Sequence, residues 1–213
     1  MAQLIKETLK IQHPSWIELR ADRLVSNLES LRRRSGQSDV LAVIKANAYG
    51  HGLNEIARTL DGKVSFFGVA TLREALLLKE NCPQTPVFLF GHLFSHEIPA
   101  AIGAGATLSI SGYEKAKEIS ECAENLGREV SAHLKIDTGM GRMGVKVQEA
   151  AAEVEKIKGL RNLLLDGIYT RFPAAEKDDA FREEQIRDFG LLIETLERGG
   201  IVFRFRHAQN SAA

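Results

Sequence analysis

AVIKANAYGHG, residues 42–52, joins an apolar run to a lysine and then to a loop of small residues, a tyrosine and two glycines. Four to eight apolar residues rich in β-branching and followed by Asn and Gly favour a strand over a helix, so residues 40–44 read as a short, fully buried strand. Lys45 then sits at its carboxyl end. A lysine partly stripped of water there has its ammonium form disfavoured, and a neutral amine attacks an aldehyde to give a Schiff base. The alternative is a solvated lysine that merely ends the strand.

Working outward, a brief strand is expected at residues 16–19 and a helix at 22–34, where Leu24, Leu28 and Leu31 fall at helical spacing. Strands follow near residues 41–44, 66–70, 87–90, 107–110, 130–136, 164–169 and 202–205. Helices at 71–79, 112–126, 148–156 and 178–198 fit between them. This βα alternation predicts an α/β fold with a parallel sheet, either closed as a barrel or open and doubly wound. Lys45, Lys135, Arg171 and His207 each fall at or just beyond the carboxyl end of a different expected strand, and that rim is where (β/α)8 TIM-type barrels build active sites. The open alternative wants GxGxxG between a strand and a helix. GMGRMG, residues 139–144, has the glycine spacing, but Arg142 and Met143 stand where a first helical turn would meet a pyrophosphate. Eight strands and about 250 residues make a full barrel. The reading is therefore one domain, a barrel truncated after its seventh strand, with that strand's edge left unpaired.

With 213 residues, 44% hydrophobic and 26% charged, the chain has the composition of an ordinary globular domain. Its 28 basic and 28 acidic side chains cancel, so no overall field recruits nucleic acid or an anionic membrane. Cys82 and Cys122 have no metal-ligand spacing, and two cysteines do not make a disulfide framework. The amino terminus lacks an apolar signal core and no stretch approaches a membrane span. A cytoplasmic, soluble protein is the expectation.

Two further stretches accompany the first: KIDTGMGRMG at residues 135–144 and HAQNSAA at residues 207–213, close to HxxNSAA. In this order and spacing, from about Trp16 onward, the chain resembles the alanine racemase family. The resemblance implies pyridoxal 5'-phosphate as cofactor and interconversion of L-alanine and D-alanine, which supplies D-alanine for peptidoglycan. It also implies a carboxyl-terminal β-domain after the barrel and a homodimer, in which a tyrosine of the neighbouring subunit acts as one of two bases. Lys45 would be the Schiff-base lysine and the other base. Tyr49 and Ser211 would bind the cofactor phosphate, the latter at a strand-to-helix turn whose N–H groups attract anions. Arg142 would reach the cofactor's phenolic oxygen and the substrate carboxylate, oxygens that suit a planar guanidinium fork. Lys135 matches a lysine that is carbamylated in many members and orients that arginine, whereas an ammonium there would repel Arg142. His207 and Asn210 would lie near the cofactor ring.

One departure from the family stands out. Members usually read THF after the sixth strand, and here Thr170, Arg171 and Phe172 precede Pro173. Arg171 brings a permanent charge beside the ring in place of a titratable imidazole. Tyr49, Tyr113 and Tyr169 do not match the family's catalytic tyrosine, so the isolated chain is expected to racemise negligibly. Racemisation of another amino acid, a cofactor-binding barrel and an inactive fragment remain as alternative readings.

Overall fold

The computed structural model describes residues 17–36, 38–173 and 178–208. Helix α1 (Ala21–Arg34) leads into β1 (Leu41–Val43), a single turn α2 (Lys45–Tyr49) and α3 (Leu53–Leu60). Strand and helix then alternate through β2 (Phe66–Val69), α4 (Leu72–Asn81), β3 (Val87–Leu89), α5 (Ile98–Gly103), β4 (Thr107–Ile110) and α6 (Tyr113–Asn125). The last part comprises β5 (Val130–Asp137), the short β6 (Val145–Lys146), α7 (Ala150–Lys158), β7 (Leu163–Tyr169), α8 (Asp179–Arg198) and β8 (Phe205–His207).

All pairings are parallel, in the order β1-β2-β3-β4-β5-β7-β8, with β6 added beside the end of β5. Parallel strands are covered on both faces, which is why FFGV of β2 and VFL of β3 are apolar and buried throughout. The sheet is strongly curled. Strands β2 and β8 lie five places apart along it, so a flat sheet would separate them by about 24 Å. Yet the rings of Phe66 on β2 and Phe205 on β8 meet edge to face with centroids 5.1 Å apart. Phe88 on β3 likewise meets Tyr169 on β7 at 5.5 Å. The result is a curled parallel half-barrel of seven strands with an aromatic interior. Among the described residues β1 and β8 do not pair.

The helices cover the outer face. Ala57, Leu78, Ile119, Ile157 and Leu196 belong to one apolar cluster with Phe67, Leu89, Leu108 and Leu134 of the strands. Truncating one such side chain, for example the fully buried Leu78, would cost about 2–5 kcal/mol. Among the described residues α4 and α8 are capped by the side chain just before the helix: the Thr71 hydroxyl accepts from Glu74 N–H, and Asp178 accepts from Phe181 N–H.

Several sequence expectations are corrected. Residues 17–19 carry no strand, and residue 16 lies outside the described residues. Strand β1 is shorter than residues 40–44 and not fully buried, since Val43 is 37% exposed at the sheet's edge. The last strand is not 202–205 but Phe205–His207, because its register is set by pairing with Gly167, Ile168 and Tyr169. Helices α3 and α5 and strand β6 were not anticipated. No described helix is long and apolar enough to cross a membrane. Cys82 and Cys122 are free thiols.

Candidate active site

The turn after β1 has an unusual backbone. Ala46, Asn47, Ala48 and Tyr49 have φ of 52°, 55°, 52° and 55°, a left-handed helical turn built without glycine. For L-residues this conformation costs about 1–2 kcal/mol each, so the surroundings must hold it. Ala48 N–H donates to Ile44 O, and Gly50 N–H and Gly52 N–H donate to Asn47 O. The Asn47 side chain accepts from Leu53 N–H at 2.8 Å. From the next unit, Glu74 accepts from Asn47 N–H at 3.4 Å, Ala70 N–H at 3.0 Å and Thr71 N–H at 3.1 Å. Burial alone would raise the Glu74 carboxyl, but those N–H groups and the Thr71 hydroxyl outweigh it and hold it below the usual glutamate value. The turn starts at half-buried Lys45 and displays Tyr49, which is 60% exposed and so is not a core aromatic.

Across the rim, alternate residues of β5 share a face, which puts His133, Lys135 and Asp137 in a row. Lys135 is 6% exposed and has no hydrogen-bonded or ion-paired partner among the described residues. Burial, then Arg142 and Arg171, push its pKa down, against the opposing pull of Asp137. Asp137 is not its ion-pair partner but the organiser of the following loop, accepting from Gly139 N–H at 3.0 Å and from Gly141 N–H through both oxygens. Burial raises that carboxyl, and the N–H groups of Gly141, Gly139 and Met140, with Lys135, lower it further. Gly144 has φ of 120° and packs so tightly that a Cβ would lie 3.0 Å from Asp137 N and Lys135 O. The glycines of GMGRMG therefore close a loop onto β5. They lead into β6 rather than a helix, so the dinucleotide fingerprint is absent.

That loop is tied to the one after β7. The Thr138 and Thr170 hydroxyls share a hydrogen bond of 2.8 Å, and Gln185 of α8 donates to Thr138 at 3.2 Å. Arg142 and the exposed Arg171 are thus both placed to act on Lys135. Below them, His207 stacks on Tyr169 with centroids 4.7 Å apart and 2° between planes. Burial, then the neighbouring His133, push His207 down to about 3. Burial likewise pushes Tyr169 up to about 12, against the Ser109 hydrogen bond of 2.7 Å and the positive charge of Arg142.

Of the residues read from sequence, Lys45, Tyr49, Lys135, Arg142, Arg171 and His207 all lie on the carboxyl rim, at or next to the ends of β1, β5, β7 and β8. Lys135, Arg142 and Arg171 lie near enough for both arginines to disfavour charge on the lysine, and Lys45 and Tyr49 occupy one turn with no side-chain hydrogen bond or ion pair to that trio among the described residues. Asn210 and Ser211 lie outside the described residues. His207 has a second histidine beside it, its Nε2 lying 2.9 Å from His133 Nδ1. Sequence reading missed His133, Glu74, Thr138 and Ser109. Only His133 carried a signal, two residues before Lys135 on a period-two strand. The basic side chains of Lys45, Arg142 and Arg171 on one rim, over an aromatic floor, make a place for a small anionic ligand with a planar ring.

The chain is 35% identical to the alanine racemase of Desulforamulus reducens over 207 residues, covering 95% of this chain and 56% of the relative. It is 36% identical to that of Carboxydothermus hydrogenoformans over 202 residues, covering 94% and 55%. The chain therefore spans about half the length of the curated relatives it matches. Among solved structures, alanine racemase of Clostridium difficile in complex with cycloserine superposes with a TM-score of 0.90 at 30% identity, covering 95% of this chain and 57% of that one. The Bacillus anthracis alanine racemase with bound L-Ala-P gives a TM-score of 0.82 at 28% identity, with coverages of 93% and 52%. With the family model described as alanine racemase, N-terminal domain, matching residues 19–213, the chain belongs to the alanine racemase family.

Proposed function

We propose that this protein interconverts L-alanine and D-alanine with pyridoxal 5'-phosphate held on the rim described above. The observation that carries this reading is a lysine fixed at the first position of a strained turn, on the rim that gathers Lys135, Arg142 and Arg171. The residues fit the cofactor. Lys45 has no hydrogen-bonded or ion-paired partner among the described residues, Tyr49 presents a phenol to solvent, and the cationic rim suits both a phosphate and an amino-acid carboxylate.

When bound, pyridoxal phosphate supplies an electron-poor ring that draws charge from the amino acid's α-carbon. Lys45 would hold the cofactor at its Nζ, and once released from it by the substrate's own amine that Nζ would take or return a proton at one face of the α-carbon. Arg142 would orient the substrate carboxylate through its planar fork, and Tyr49 would hold the phosphate. Lys135, buried and pushed toward the neutral amine, takes up carbon dioxide with loss of one proton, and the resulting carbamate anion pairs with Arg142 instead of repelling it. Tyr169 does not serve the other face, because its hydroxyl is engaged by Ser109 and resists ionisation. A tyrosine from a second subunit of a homodimer fills that role. The reaction belongs in the cytoplasm, upstream of peptidoglycan assembly.

The test is alanine racemisation by the full-length protein, followed as loss of optical rotation, beside its Lys45→Ala variant. At least about a 100-fold loss is expected from removing the base alone, and equal turnover would sink the proposal.

A further inference from the structure

The barrel interior holds a charge arrangement that the racemisation reading does not use. Ala132 pairs with Leu165 and His133 with Gly167, which leaves Asp166 as the extra residue of a β-bulge. Such bulges re-aim side chains, and here the Asp166 Oδ1 lies 3.4 Å from His133 Nε2. Neither atom has a hydrogen-bond partner among the described residues. Gly167 provides the room: a Cβ there would lie 2.2 Å from His133 Cδ2. The imidazole is 1% exposed and enclosed by the rings of Phe88, Phe205 and Phe66 at 4.8, 5.4 and 5.9 Å. Its other nitrogen, Nδ1, meets His207 Nε2 at 2.9 Å.

A neutral imidazole has one N–H and one bare nitrogen, and which is which follows from what each faces. A bare His133 Nε2 would set its lone pair against a carboxylate in a poorly screened interior, whereas an N–H there is attracted. The proton of His133 therefore belongs on Nε2. Its Nδ1 is then an acceptor, and the short contact with His207 requires His207 Nε2 to donate. We propose that Asp166 is a positioning residue that, acting through His133, fixes His207 as the Nε2–H tautomer and leaves His207 Nδ1 as a hydrogen-bond acceptor at the barrel rim. A group meeting that nitrogen must be a donor, so the relay selects the polarity of whatever approaches His207. The low pKa of His207 agrees, since a ring that stays neutral has a single proton to place.

The experiment is long-range proton–nitrogen correlation NMR on the chain labelled with 15N-histidine, without cofactor. Because it reads neither cofactor binding nor turnover, it stands or falls separately from the racemase reading. In the unmodified chain, both His133 and His207 are expected to be protonated on Nε2 and bare on Nδ1. Asp166→Leu removes the anion, and the Nδ1–H form of His207 should then rise to a share comparable with the Nε2–H form. Asp166→Glu should restore the original pattern. A His207 protonated on Nδ1 in the unmodified chain, or a doubly protonated His133, overturns the proposal. So does an unchanged His207 in a folded Asp166→Leu protein. Where Asp166→Leu does not fold, the unmodified chain and Asp166→Glu decide.

Discussion

Gly167→Ala would set a methyl carbon 2.2 Å from Cδ2, 2.3 Å from Cγ and 2.6 Å from Nε2 of His133. The imidazole has little room to retreat, since the rings of Phe66, Phe88 and Phe205 surround it and protein interiors are close-packed. Overpacking of this kind costs about 1–3 kcal/mol, and losing the contact with His207 adds about 1 kcal/mol. A destabilisation of about 3 kcal/mol follows, which for a chain of this size lowers Tm by about 6–12 °C. Thermal unfolding followed by circular dichroism would measure it, in a cycle with His133→Ala. Without the imidazole the added methyl has space, and relieving a glycine within a strand is slightly favourable, so Gly167→Ala should then be nearly neutral. The coupling energy expected is about 2–3 kcal/mol. A coupling below about 0.5 kcal/mol, within the error of additive sites, would refute the view that Gly167 exists to admit His133.

Two further outcomes follow from the turn that carries Lys45. Ala46→Gly relieves a residue held at φ of 52° and should stabilise the protein by about 0.5–1 kcal/mol in denaturant unfolding; a loss of stability would mean that the left-handed turn is not strained. Glu74 is held below its ordinary 4.5, so its contribution is complete above that value and is lost as pH falls through the folded-state value. The stability gap between the protein and Glu74→Gln should accordingly be widest at neutral pH and close in acid, and a gap independent of pH would count against Glu74 as an ionised clamp.

Much of the barrel could be read from the sequence because parallel strands covered on both faces leave apolar runs of strand length. Residues 107–110 are an instance, read as a strand and observed as β4. The last strand was misplaced because nothing in IVFRFRH says where backbone pairing starts. That is fixed by β7, which offers Gly167 to Phe205. The left-handed turn was invisible for a related reason: Ala, Asn, Ala and Tyr carry no glycine signal, and the conformation is imposed from outside by Glu74 and Leu53. The rim was legible where side chains carry chemistry in a recognisable order, as with Lys45, Lys135 and Arg142. Asp166 was not, since an acidic residue inside LLLDGIY gains its meaning only from a bulge that turns it toward His133.

The most direct test of Lys45 as the cofactor's anchor is borohydride reduction of the protein in the presence of pyridoxal phosphate, followed by mass mapping of the modified peptide. A reduced pyridoxyl group on Lys45, absent from Lys45→Ala, is the expected result. Specific attachment at another lysine, or none in a folded sample, would contradict it.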